Sequence, residues 1–303
     1  MLEVLDKAER ITATESGRCE IKAPAKLNLG LRIYPARADG FHDLESWMVP
    51  LSWHDTVRYS PSTSLEMSVT GRAAGIPTGV EENLVGRAAL RLARAAGITA
   101  HGRIELHKVV PAGGGLGGGS SDAASALVLL NHAWDLRLEL AQLLKIAAEL
   151  GSDVPLFVQG QPSLCRGRGE QLTTLRASEP LYATLLVPPM GLATKAVYGA
   201  FDAGHRHAQP TEFAWEAWAA MSADRLNELL VNDLEPAAFS LAPWLRELRD
   251  EAAVAVGQKV HMTGSGSTLY TLSSTAPRAA DLADRLEREL AGRVACVTAR
   301  VVR

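Results

Sequence analysis

The strongest constraint on this chain is Pro111-Ala112-Gly113-Gly114-Gly115-Leu116-Gly117-Gly118-Gly119-Ser120-Ser121-Asp122, a stretch with six glycines in seven positions. A backbone so bare of side chains takes left-handed conformations cheaply and lets a ligand approach closely. Upstream, Arg103 to Val110 reads as a strand, with apolar residues at 104 and 106 and two valines at its end. Downstream, Ser120 to Trp134 reads as a helix with Ala124, Leu127, Val128 and Leu130 on one side. Ser120, Ser121 and Asp122 fall in its capping region. Strand, loop and helix N-terminus together make an anion site, because unpaired N–H groups and the positive end of the helix dipole face one point. A nucleotide phosphate is the expected guest.

The glycines alone do not say which nucleotide. Gly113-x-Gly115-x-x-Gly118 fits the dinucleotide fingerprint, but that motif needs a second strand ending in an acidic residue. The residue at that distance, Asp135, lies between two helical stretches. A Walker-type loop is excluded because no lysine follows the last glycine. A flexible linker is the plain alternative, and Leu116 together with the ordered elements on both sides argues against it.

At 303 residues the chain is long enough for one large or two medium domains. Its net charge of -3 gives no support to nucleic-acid binding. Cys19, Cys165 and Cys296 are odd in number and far apart, which argues for a reducing compartment and against a zinc site or disulfide framework. The first residues are too charged for a signal peptide, and no apolar run approaches membrane-spanning length. A cytoplasmic protein with no membrane partner is expected.

Residues 1 to 18 read as a polar extension. From Cys19 to Ile33 the pattern alternates: Leu27, Leu29, Leu31 and Ile33 share one strand face, and Lys26, Asn28, Gly30 and Arg32 the other. Lys26 and Asn28 therefore project together, although a lysine on such a face is commonly just solvated. Asp39-Gly40 marks a turn before Phe41 and His42, which are incidental loop residues or a grip for a flat ring. Residues 60 to 80 read as irregular. Asn83 opens a helix over 84 to 96, with Gly97 as its stop, and a further helix runs to Leu150. Gly151-Ser152-Asp153 then leads into an apolar strand, Val154 to Val158. That reading leaves Asp153 beside a helix C-terminus, on the unfavourable side of the dipole, where it needs solvent or a cation.

Beyond residue 180, strands at 181–188, 259–262, 269–272 and 295–302 are interleaved with helices at 194–201, 222–230, 244–256 and 278–290. This pattern predicts an α+β sandwich. A second glycine feature, Thr263-Gly264-Ser265-Gly266-Ser267-Thr268, sits between two of the strands. Metal-protease, Cys/His and Gly-x-Ser-x-Gly patterns are absent from the sequence. Phosphoryl transfer remains. It requires a positioned donor, charge neutralisation and a group to take the acceptor proton. Glycine N–H groups and serine hydroxyls with Mg²⁺ suit the first, Lys26 part of the second and Asp153 the third.

Pro111 to Ser121 resembles the phosphate-binding motif of the GHMP kinase superfamily, and Thr263 to Ser267 resembles its third motif. Pro24-Ala25-Lys26-Leu27-Asn28-Leu29, Arg37-Ala38-Asp39-Gly40-Phe41-His42, Gly151-Ser152-Asp153-Val154-Pro155 and Asn232-Asp233-Leu234-Glu235 extend the likeness. They point to the branch that phosphorylates a cytidine-diphosphate-linked methylerythritol in non-mevalonate isoprenoid synthesis. The resemblance implies an α+β chain with the two-domain GHMP kinase fold. An N-terminal α/β domain (19–180) carries the glycine-rich phosphate loop, and a ferredoxin-like α+β sandwich (181–303) follows it. It implies ATP and Mg²⁺, a small cytidine-diphosphate-linked alcohol as substrate, and a monomer or homodimer.

Carried over residue by residue, Asp153 takes the proton of the 2-hydroxyl, and Lys26 keeps Asp153 ionised and faces the developing phosphate charge. Pro111 to Ser121, Asn83, Lys108, Gly264, Ser265 and Gly266 bind the nucleotide, with Ser121 toward Mg²⁺. Asn28, Phe41, His42 and Tyr198 bind the substrate, the last three around cytosine. Phe41 replaces the usual tyrosine and so loses one hydroxyl. The N-terminal extension and the tryptophan-rich 212–218 segment are departures from the pattern. Another small-alcohol kinase of the superfamily, or a non-catalytic ligand sensor on the same fold, stands as the alternative.

Overall fold

The computed structural model describes residues 10–14, 16–204 and 213–302. In chain order the strands are β1 (Ile11–Ala13), β2 (Cys19–Ala36), β3 (His42–Ser60), β4 (Leu65–Gly71), β5 (Gly102–Lys108), β6 (Ser163–Arg166), β7 (Gln171–Thr174), β8 (Tyr182–Val187), β9 (His261–Met262), β10 (Leu269–Ser273) and β11 (Ala295–Arg300). The helices are α1 (Leu84–Ala96), α2 (Gly118–Ala133), α3 (Leu140–Leu150), α4 (Val154–Gln159), α5 (Thr194–Gly204), α6 (Trp215–Ala219), α7 (Ala223–Leu229), α8 (Glu235–Leu241), α9 (Pro243–Val256) and α10 (Ala276–Glu289). Two compact units form, and neither is contiguous in sequence. The first takes in the chain up to Ala25, His54–Ala112 and Gly117–Gly160. The second takes in Lys26–Trp53, Gly113–Leu116 and the chain from Gln161 onward.

In the first unit β1 runs antiparallel to the start of β2, with Ile11 opposite Ile21. The end of β3 pairs antiparallel with β5, and β4 lies parallel to β5. Helices α1 to α4 pack on one another. Helix α1 starts where expected because the Asn83 side chain accepts from Val85 N, and it stops at Gly97 in the left-handed region (φ 68°).

In the second unit the antiparallel sheet runs β11-β8-β10-β9. Numbered within itself that order is 4-1-3-2, with α10 crossing from β10 to β11, which is the expected ferredoxin-like sandwich. Its helices bury Leu186, Leu234, Phe239, Leu245, Leu269, Leu282 and Leu286 in one apolar core.

Three local expectations fail. Val154 to Gln159 is a helix, not a strand. A short apolar run cannot be typed by periodicity, and Pro155, a good first-turn residue, is the signal that decides it. Residues 65 to 71 form a strand, β4, which lies at the edge and is half exposed. Ile11 to Ala13 of the supposed polar extension form β1; residues 1–9 and Glu15 lie outside the described residues, as does Glu212 of the tryptophan-rich segment.

His261 in β9 is buried, its Nε2 donating to the Asn227 carbonyl at 2.9 Å. Burial pushes its pKa down to about 4, from an ordinary value of 6.5. Above pH 6.5 both folded and unfolded forms are neutral. Below it the unfolded chain protonates first, so stability falls as the pH drops toward 4 and the loss levels off beneath that. Equilibrium denaturation should show about 3 kcal/mol lost to this group across that window, and His261→Gln should flatten the profile there. An unchanged acid slope in the variant would remove His261 from the account.

Candidate active site

The first unit holds one end of the glycine loop. Gly117, with φ 68°, is the N-cap of α2, so the helix begins two residues earlier than expected. Ser120, Ser121 and Asp122 therefore sit inside the helix, the two serines in its first turn, rather than in a cap. The first intrahelical bond runs from Ser121 N to Gly117 O at 2.9 Å. The N–H groups of Gly118, Gly119 and Ser120 precede it and have no helical acceptor, which makes them donors for an anion. A Cβ on Gly119 would meet nothing within 4 Å, and its φ is not left-handed. Nothing in the protein itself asks for glycine there. Ser121 Oγ is buried with no hydrogen-bond partner, as is Asp122 Oδ1.

Three other predicted residues belong to the same unit. Asn83 is buried and fully used, accepting from Val85 N at 2.9 Å and donating to the Pro77 carbonyl at 2.6 Å. Lys108, 3% exposed, is ion-paired with Asp55 and Asp122. Asp122 titrates at about 7: burial raises it, Lys108 draws it down and Asp55 pushes it up again. Asp153 follows the C-terminus of α3 as expected, and it is also the N-cap residue of α4, which places it at the favourable end of that second helix. It accepts no capping bond from that helix.

The second unit holds the middle of the loop, Gly113–Leu116, around Lys26. The Lys26 ammonium is buried (4% exposed) and donates to Gly115 O at 2.7 Å and to Asn28 Oδ1 at 2.5 Å. Asn28 is not on a solvated face either. Its Nδ2 donates to Ser46 Oγ at 2.7 Å, and its backbone N–H donates to Thr263 Oγ1 at 3.1 Å. Gly115 has φ 76°, and a Cβ on it would strike the Thr263 carbonyl. Thr268 N donates to Gly114 O at 3.2 Å, which ties the second glycine feature to the first. Within that feature a Cβ on Gly264 would stand 3.2 Å from Lys26 Nζ. Ser265 Oγ lies 2.9 Å from Thr194 Oγ1, and Gly266 N donates to Thr263 O at 3.0 Å.

The predicted ring grip is also in this unit. Phe41 is 52% exposed on the turn, with the Arg168 guanidinium 5.0 Å from its ring centre. His42 is buried, with Nδ1 2.7 Å from the Tyr34 carbonyl and Nε2 3.0 Å from Asp202 Oδ1. Its ring centre is 5.7 Å from that of Tyr198.

Asn232 and Glu235 matter here as well, although their motif carried no assigned role. Asn232 Nδ2 donates to the carbonyls of Met262 and Gly264, each at 2.8 Å. Glu235 Oε1 accepts from Met262 N at 2.7 Å. Together they hold the entry to the second glycine feature. The short motif Asn232-Asp233-Leu234-Glu235 was the available signal. Asp55 had none.

The sequence matches the family described as GHMP kinases N terminal domain over residues 83–161, and GHMP kinases C terminal over residues 216–292. It is 38% identical to the 4-diphosphocytidyl-2-C-methyl-D-erythritol kinase of Pelotomaculum thermopropionicum, over 88% of this chain and 93% of that one. The enzyme of the same name from Nocardia farcinica is also 38% identical, over 90% and 89% of the two chains. A crystal structure of a 4-(cytidine 5'-diphospho)-2C-methyl-D-erythritol kinase superimposes with a TM-score of 0.77 at 34% identity, covering 93% of this chain and 98% of the other. The glycine loop, the lysine strand and the ferredoxin-like sandwich thus sit in a chain that belongs to the GHMP kinases, and within them to the family of 4-diphosphocytidyl-2-C-methyl-D-erythritol kinases.

Proposed function

We infer that the protein transfers the terminal phosphoryl group of ATP to the 2-hydroxyl of 4-diphosphocytidyl-2-C-methyl-D-erythritol, in non-mevalonate isoprenoid precursor synthesis. The observation that carries this reading is the setting of Lys26, whose buried ammonium is fastened to the glycine loop and to Asn28 within one unit. A cation held that rigidly suits a reaction whose barrier is lowered mainly by positioning and charge stabilisation. The shared name of the relatives supplies the substrate.

Each residue takes a role in this proposal. Asp153 accepts the hydroxyl proton, and Lys26 faces the charge that develops on the transferred phosphoryl group. Residues 111–121, Asn83 and Gly264 to Gly266 form the nucleotide set, and Lys108, paired with Asp55 and Asp122, belongs to it as a support of the loop. Asn28 is assigned to the substrate and also orients the Lys26 ammonium. Phe41, His42 and Tyr198 are assigned to cytosine, supported by the short ring separation of the last two. Ser121 suits Mg²⁺, because an unpartnered hydroxyl is the kind of single oxygen this ion adds to phosphate ligands. The ion would neutralise phosphate charge. No group of three or more His, Cys, Asp or Glu residues that could hold a metal occurs among the described residues.

Residues 19–180 and 181–303 are retained as the two functional halves, and each family match falls within one of them. No helix among the described residues is long and apolar enough to cross a membrane. We place the reaction in the cytoplasm, carried out by a monomer or homodimer.

An ADP-release assay with a panel of alcohols tests the substrate. Turnover should require the cytidylated methylerythritol, and turnover of homoserine or mevalonate in its place would sink this reading. Asp153→Asn should fold and bind nucleotide but lose about 10²- to 10⁴-fold in kcat; near-normal turnover would take the base role from Asp153. Gly119→Ala gives a separate check on the loop. An alanine at this exposed helical position should leave the thermal midpoint unchanged or raise it. Nucleotide affinity should fall at the same time, because the methyl group fills space the phosphates need. Unchanged affinity would mean that the phosphates do not approach Gly119.

A further inference from the structure

Lys108 is the last residue of β5, Asp122 is the fifth residue of α2, and the glycine loop runs between them. Asp55, in β3, reaches both ends. Its Oδ1 accepts the backbone N–H groups of Val109 and Val110, at the loop's entry. Its Oδ2 accepts from Lys108 Nζ, and the same ammonium donates to Asp122 Oδ2 at 2.6 Å, at the loop's exit. All three side chains are buried. The ammonium also lies against the loop backbone: a Cβ on Gly118 would stand 3.2 Å from Nζ and 3.7 Å from Asp55 Oδ2.

The cluster does not have the charge of a phosphate receptor. Two carboxylates flank one ammonium, so a nucleotide would find no net cation there. The geometry instead suits a fastener. Entry and exit of the loop are joined through one Nζ, which sets where the N–H groups of Gly118, Gly119 and Ser120 point. Misplacing a reacting group by about 1 Å costs roughly a hundredfold in rate.

We propose that Lys108, together with Asp55 and Asp122, is a positioning residue for phosphoryl transfer, tying the two ends of the glycine loop to each other rather than touching the nucleotide. This rests on the reading that the loop holds the phosphates of ATP.

The test is a double-mutant cycle on Lys108→Met and Asp122→Asn. It measures kcat, KM for ATP, and binding of a non-hydrolysable ATP analogue with Mg²⁺. If Lys108 acts through Asp122, each single variant lowers kcat/KM by about a hundredfold. The double variant then falls within about threefold of the worse single one. Factors that multiply would overturn the clamp and return Lys108 to direct contact with the nucleotide. Asp122→Asn decides the matter alone if Lys108→Met does not fold. By charge alone, removing an anion beneath the loop tightens binding of an anionic nucleotide, whereas loosening the loop weakens it. Weaker binding is expected, and tighter binding overturns the proposal. A wild-type protein that binds no ATP analogue would defeat the ATP reading itself, a result distinct from multiplying factors in an active enzyme.

Discussion

The geometry of the second unit around its glycine loop depends on the burial of one ammonium. An amine taken out of water must find acceptors or lose its charge. Lys26 finds the Gly115 carbonyl and Asn28 Oδ1. Turning the Gly115 carbonyl toward β2 goes with a left-handed φ at residue 115, and the Thr263 carbonyl behind it leaves no room for a Cβ. Asn28 is held in turn by Ser46 and by Thr263, which donates to its Oδ1 at 3.3 Å. One cation thus brings together a strand, the glycine loop and the second glycine feature, from three distant parts of the sequence. Asn232 and Glu235 secure the last of these from α8 and the turn before it.

The parts of this arrangement that could be read in the sequence are those written in local patterns. Six glycines in seven positions, flanked by a strand and a helix, located the loop correctly. Alternating leucines located β2 and put Lys26 and Asn28 on one face. The burial of that face was not legible. Alternation predicts one apolar side, but the groups covering Asn28 come from Ser46 on the next strand and from Thr263, 235 positions away. Chain-distant partners leave no trace in a window of ten residues. The same limit hid Asp55, an acid in a strand whose partners are a backbone turn and a lysine 53 positions on.

Asp153 shows how a local misreading propagates. Taking Val154 to Val158 as a strand leaves the carboxylate trailing a helix C-terminus, where it appears to need a nearby cation. As the N-cap residue of α4 it already has a favourable dipole, and its side chain is not committed to capping. It stands between two helix ends, after the C-terminus of α3 and at the N-terminus of α4, and only the first of these was read from the sequence. Pro155 was the decisive clue, since proline suits the first turn of a helix and breaks the ladder of an interior strand.

The two buried lysines meet different kinds of acceptor. Within the second unit Lys26 donates to two neutral oxygens, the Gly115 carbonyl and the Asn28 amide. Lys108 is held by two carboxylates, which satisfy the N–H groups and cancel the charge as well. The two carboxylates make the Lys108 cluster a neutral or slightly negative knot. Burial of the cluster makes these attractions stronger than they would be in water. The glycine loop takes both kinds of support: neutral contacts to Lys26 from its middle, and a charge-compensated clasp at its ends.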